Sequence, residues 1–404
     1  MSAAPTTPIV LSVEQALSMS YATLRFAQLG WRVIRVEPTP RPGRKAKGDP
    51  NRSIGRAVAG DDIHSYFVGP NVGKEAIALN LKTEEGRSVL RRLVRELPVD
   101  VFCTNTLPVR HETLGLDHAS LSAERPDLIW ASISAMGLSH PDVPGYDPVL
   151  QALCGYMDIT GPADGPPTQN GPPLTDLKAG DEVFAQVLHA LWERERGVKG
   201  RVIDVSMAQV ATSWLLTFLP MLDMGSDPSE LRRSGNEHRQ FIPTNAYPTE
   251  DGFIYLAVGS DAQWHRLIGH ALFQSLGEPV FATNEGRRGE KRRLPEAIAD
   301  ITRGHTTSAV AEALAAAGIP HAPITPIEEV MELPMIRPAL LRTEAPDGRT
   351  IRLPPAGVTT AYLEENERQM SFAPSYGQHT RAVLGEAGIA DAEITKMYER
   401  GEIA

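Results

Sequence analysis

Ala76-Ile-Ala-Leu-Asn-Leu81, then Thr83, then Gly86-Arg-Ser-Val-Leu-Arg-Arg-Leu-Val94, then Asp100-Val-Phe-Cys-Thr-Asn105: this stretch decides the fold. Two short apolar runs read as strands. The segment between them has helical spacing, and Thr83 is placed to cap its start. A strand, a helix and a second strand at this spacing make a parallel βαβ unit. The pattern extends in both directions. Upstream, residues 15–28 have helical spacing and Arg32-Val-Ile-Arg-Val-Glu37 reads as a strand. Downstream, Leu128-Ile-Trp-Ala-Ser-Ile-Ser134 and Arg201-Val-Ile-Asp-Val-Ser206 read as strands, with a helix predicted from Asp181 to Arg196 between them. The expected fold is α/β, a doubly wound parallel sheet whose ligand sits beyond the carboxyl ends of the strands.

After Gly225 the texture changes. A polar stretch leads to the turn signal Asn245-Ala-Tyr-Pro-Thr-Glu-Asp-Gly252 and the strand Phe253-Ile-Tyr-Leu-Ala-Val-Gly259. The expected division is a large Rossmann-like domain over 1–224, a smaller α+β domain over 225–325, and a segment, 326–404, returning to the large domain.

The chain has 404 residues and a net charge of −10, which argues against a nucleic-acid binder relying on general electrostatics. Two cysteines, Cys103 and Cys154, form no metal-binding or redox motif, and their scarcity suits a cytoplasmic protein. The N-terminus lacks the pattern of a secretory signal. The most apolar run, Val210 to Leu222, contains Thr212, Ser213, Thr217 and Pro220 and is too polar to span a bilayer.

Asp176 follows Gly171-Pro-Pro-Leu-Thr175 at a loop-to-helix junction. Free backbone N–H groups and the positive end of the helix dipole would keep its carboxylate ionised while it faces a cleft. Arg41, Arg44, Lys45, Lys47 and Arg52 form a basic run after a predicted strand; Lys74 and Arg110 stand near others. Cations at strand ends of a parallel sheet suit a phosphorylated ligand.

Six phrases, in order and over nearly the whole chain, resemble class III CoA-transferases, the family of formyl-CoA transferase and carnitine CoA-transferase. They are Gln28-Leu-Gly-Trp-Arg-Val-Ile-Arg-Val-Glu37; Gly48-Asp-Pro-Asn-Arg52; the run from Tyr66 to Lys82 with Asn71-Val-Gly-Lys74; Gly145-Tyr-Asp-Pro148; Gly165-Pro-Pro167 with Asp176 and Gly180; and, near the end, Ala317-Gly-Ile-Pro320 with the run from Ala373 to Leu384. The resemblance implies a Rossmann-like large domain with an inserted smaller α+β domain, and two chains threaded as interlocked rings. It implies Asp176 as the acyl-accepting carboxylate, acting through an aspartyl-CoA intermediate. Coenzyme A enters as a substrate, with no tightly bound cofactor or metal. On this reading Arg44, Lys45, Lys47, Arg52, Lys74, Asn105 and Arg110 bind CoA. Tyr146 lines the acyl pocket, and Gly235 and Asn236, in Ser234-Gly-Asn-Glu-His238, form a loop at the substrate.

The expected reaction moves CoA from an acyl-CoA donor, succinyl-CoA as the family's common case, to a free carboxylic acid. The expected assembly is a homodimer or a hetero-oligomer with a related subunit, without nucleic acid or membrane. The chain departs from the family at Pro38, Thr113 and Ser134, where formyl-CoA transferase carries basic residues. Two other readings use the same fold: an α-methylacyl-CoA racemase, or a non-catalytic CoA-binding subunit. A racemase needs histidine where Tyr146 stands.

Overall fold

The computed structural model of the chain describes residues 7–40 and 47–404. Arg41, Arg44 and Lys45 lie outside the described residues. Six parallel strands form the main sheet: β1 (Ile9–Val13), β2 (Arg32–Pro38), β3 (Glu75–Leu79), β4 (Val99–Thr104), β5 (Ile129–Ser134) and β6 (Arg201–Ser206). Their order is β3-β2-β1-β4-β5-β6. The direction of winding reverses between β1 and β4, and that switch point opens a crevice at the carboxyl ends.

β1 was not among the strands expected from sequence. Its five residues, Ile-Val-Leu-Ser-Val, follow a Thr- and Pro-rich start and read as tail, yet they hold the middle of the sheet. Successive side chains explain why. Val10 packs into the core on one face, with Phe26, Val101 and Val187, and Leu11 into the core on the other, with Ile34, Ile77 and Leu93. A strand buried on both faces shows no polar alternation.

Five helices matter for the site. They are α1 (Ser18–Ala27), α2 (Glu84–Glu96), α3 (Asp147–Leu153), α4 (Leu174–Arg194) and α5 (Met207–Ser213). Thr83 caps α2 through the Gly86 N–H. α1 begins at Ser18, three residues later than expected, because Ala16 takes a left-handed conformation (φ 57°) that breaks the helix. α4 begins at Leu174 rather than Asp181, so Asp176 lies inside its first turn.

The chain divides into two compact units. The first comprises 1–154, 171–215 and 333–404 and holds the parallel sheet. The second comprises 155–170 and 216–332. It carries an antiparallel sheet in the order His321–Pro323, Phe253–Ala257, Thr244–Pro248. Trp264, Phe273, Leu294, Ile298 and Leu314 fill its core. The expected division gave 155–170 to the large domain. Hydrogen bonds join it instead to the polar stretch after Gly225: Gly235 N donates to Gly161 O (2.8 Å) and Arg233 Nε to Gly165 O (2.8 Å). No helix among the described residues is long and apolar enough to cross a membrane.

Candidate active site

A cleft of about 440 Å³ opens at the switch point of the first unit. Residues following β1 (Gln15, Ala16, Ser18) and β4 (Asn105, Thr106, Arg110) line it, and Asp176 and Tyr146 are on its wall.

Asn105 organises the turn after β1. Its Oδ1 accepts from the Gln15 N–H (3.0 Å), and its Nδ2 donates to Gln15 O (2.8 Å) and to Ser18 Oγ (3.2 Å). The amide was expected to contact the cofactor. It lines the cleft, yet all its groups are engaged in holding Gln15 to Ser18 in place. Ser18 in turn lies near enough to the Asp176 carboxylate to lower its pKa.

α1 and α4 approach closely at Gly180. A Cβ there would stand 2.8 Å from Ser18 O and 2.7 Å from the Tyr21 ring. Only a residue without a side chain lets the two helices meet at this distance. That contact brings the Ser18 end of α1 close to α4.

The start of α4 lacks a local cap: Pro173 precedes it and makes no side-chain bond. A distant acid supplies one. Asp147, at the first position of α3 and only 3% exposed, accepts through Oδ2 from Thr175 N (2.7 Å), Thr175 Oγ1 (2.8 Å) and Asp176 N (3.3 Å). Its Oδ1 accepts from Gln151 Nε2 (2.6 Å).

This corrects one sequence-based expectation. The N–H groups thought to stabilise an ionised Asp176 are turned to Asp147. Burial pushes the Asp176 carboxyl up to about 7, the Asp147 charge pushes the same way, and Ser18 opposes both. Asp176 is therefore a carboxylate poised to exchange its charge near neutral pH, not a permanently ionised one.

Two expected cofactor cations have structural partners instead. Arg52 grips Glu37 through two bonds (2.6 and 2.7 Å), reaches Pro374 O, and is 2% exposed. Lys74 is buried against Glu14 (2.8 Å), Thr23 Oγ1 (2.7 Å) and Ser20 O (2.8 Å). A buried cation is held by its matched acid and cannot leave it for a phosphate without a large desolvation cost. Burial lowers the Lys74 pKa to about 8, against the pull of Glu14.

Two exposed cations, Arg110 and Lys82, are on the cleft lining. Lys82 was missed as a site residue. Its signal was its place just beyond the carboxyl end of β3. Lys47 is exposed beside Gly48 of the cleft wall. Tyr146 is 74% exposed. Gly235 and Asn236 belong to the second unit, where both are exposed and Asn236 O accepts from the Tyr255 hydroxyl (3.1 Å). The cleft thus gathers Asn105, Arg110, Tyr146 and Asp176 from the expected set, with Ser18 and Lys82 added, and the buried Asp147 holds Asp176 from behind the lining.

Residues 8–380 match CoA-transferase family III. A succinate–glutarate CoA-transferase of Agrobacterium fabrum is 31% identical over 390 residues, covering 93% of this chain and 94% of that protein. A succinyl-CoA:mesaconate CoA-transferase of Haloarcula marismortui is 29% identical over 394 residues, covering 94% and 95%. The crystal structure of a CAIB/BAIF family protein from Brucella suis has a TM-score of 0.81 at 27% identity, covering 94% of this chain and 98% of that one. The chain belongs to CoA-transferase family III and is an enzyme that transfers CoA.

Proposed function

We propose that the protein moves CoA from an acyl-CoA donor to a free carboxylic acid through covalent chemistry at Asp176. An Asp176 carboxylate oxygen attacks the thioester carbonyl, the C–S bond breaks, and a mixed anhydride and CoA thiolate result. The thiolate attacks the aspartyl carbonyl, expelling the donor acid and leaving an aspartyl-CoA thioester. The acceptor carboxylate attacks that carbonyl and releases thiolate. The thiolate then takes the acceptor acyl group from the second anhydride and restores Asp176. No water enters, so the thioester's free energy is conserved.

The observation that carries this reading is a carboxylate with a raised pKa in the switch-point cleft, on the wall it shares with Tyr146. Lys82 and Arg110, exposed on the same lining, are suited to the phosphates of CoA. The names of the two CoA-transferase relatives support dicarboxylic acids as substrates, with succinyl-CoA a reasonable donor. Tyr146 replaces the imidazole that α-proton removal needs, which argues against a racemase.

We further infer that the second unit acts as an inserted smaller α+β domain and that its Gly235-Asn236 loop binds substrate. Two chains interlock as a homodimer, or with a related subunit. The unpaired thiols Cys103 and Cys154 agree with work in a reducing cytoplasm. The test is Asp176→Ala. Transfer is expected to fall by about a thousandfold or more, with CoA still bound in a calorimetric titration. Normal turnover in this variant would reject the assignment.

A further inference from the structure

We propose that Asp147 is a positioning residue for Asp176: its buried carboxylate fixes the first turn of α4 and sets a like charge beside the nucleophile, a repulsion relieved whenever Asp176 is acylated. The inference rests on the covalent reading of Asp176.

The geometry has two parts. Asp147 joins the first turn of α3 to the first turn of α4 through the three bonds to Thr175 and Asp176. Its named donors, two backbone N–H groups, a hydroxyl and the Gln151 amide, are all neutral, so they orient the charge without cancelling it.

The charged groups of the helices and strand around Asp176 are committed elsewhere. On α4, Asp181 pairs with Arg25 of α1, and Lys178 pairs with Glu182. At the end of β1, Glu14 pairs with Lys74. Tyr21 of α1 faces the Asp181–Arg25 pair. Lys82, Arg110 and Tyr146 are on the cleft lining. The charge that acts on Asp176 is that of Asp147, and it adds to burial.

The chemistry follows from charge counting. The Asp176 anion feels Asp147, whereas its anhydride and its thioester are uncharged and do not. An environment that raises the free energy of the anion therefore favours every acylated form, for the same reason that it favours protonation. A more basic carboxylate is also the better nucleophile. Asp147 touches no substrate atom in this scheme and acts through Asp176.

The experiment compares wild type, Asp147→Asn and Thr175→Val. Each is checked by circular dichroism and CoA binding, then assayed for kcat/KM of an acyl-CoA donor against pH. The Asp147→Asn amide keeps the size and an acceptor oxygen but loses the charge. Its acid limb is expected to move down by about one pH unit, and its plateau kcat/KM to fall about tenfold. The aspartyl hydroxamate trapped by hydroxylamine is expected to fall with it. Thr175→Val loses one bond but keeps the charge, so its limb stays in place. A folded Asp147→Asn with an unmoved limb overturns the proposal, as does a Thr175→Val limb that moves equally far.

Should Asp147→Asn not fold, Asp147→Ser takes its place: it removes the charge but keeps an oxygen acceptor, its acid limb is expected to move down by about one pH unit, and an unmoved limb overturns the proposal. Absence of any wild-type hydroxamate at Asp176 overturns the covalent reading itself. A wild-type hydroxamate with an unmoved Asp147→Asn limb sinks this inference alone.

Discussion

Asp176 sits where an acid ordinarily gains from a helix start, yet its carboxyl is held up at about 7. The sign of the consequence follows from proton counting. Between the unfolded value near about 4 and the folded value near 7, the native state binds the extra proton, so stability falls as pH rises through that window. Above it the whole cost of an ionised, partly buried Asp176 is present. Asp176→Asn is therefore expected to be more stable than wild type at pH 8 by about 1–3 kcal/mol, with the advantage vanishing toward pH 4. Chemical denaturation across pH measures it, and an equal difference at both ends would remove the strained carboxylate from the account. The residue itself was legible from its loop and the matched phrases around it. Its environment was not. Asp147 reaches Asp176 across 29 positions of sequence, and no local pattern announces that an acid from another helix will take the N–H groups that Asp176 was expected to use.

At the scale of elements, the site depends on α1 lying against α4. Gly180, without a side chain, lets the Ser18 end of α1 come close to α4, the helix that carries Asp176. Gly180→Ala would put a methyl 2.8 Å from a backbone oxygen that cannot turn aside. The expected result is a loss of about 1–3 kcal/mol in stability and a lower kcat with little change in CoA affinity. Wild-type melting and kinetics would show that the helices have room to spare. Most strands were readable because apolar runs beside turn residues suit a parallel sheet buried on both faces. β1 was not, since five residues between a Pro-rich start and Glu14-Gln15 look like an extension of the terminus. The start of α4 was misplaced because Pro172 and Pro173 suggest a loop, although the helix begins immediately after Pro173.

At the scale of the whole molecule, the chain carries a net charge of −10, while the expected ligand carries phosphates. Its cleft therefore needs local cations that are free to move. Arg52 and Lys74 looked suitable in sequence because any cation near a strand end does; whether it is exposed or matched to a buried acid such as Glu37 or Glu14 depends on pairs distant in sequence. Replacing both Lys82 and Arg110 with Gln should weaken CoA binding about tenfold or more at low salt, and by less at high salt. An unchanged affinity at low salt would take both residues out of the phosphate site. The domain division shows the same limit: a switch in texture after Gly225 was visible, but the attachment of 155–170 to the second unit depends on backbone hydrogen bonds.

The central claim is that Asp176 is acylated during turnover. Wild-type enzyme incubated with an acyl-CoA donor and hydroxylamine, then digested and sequenced by mass spectrometry, reads this directly. The peptide containing Asp176 is expected to carry a hydroxamate at that residue, dependent on the donor. Full transferase activity with no modification there, or with the hydroxamate on a different acid, would contradict the account.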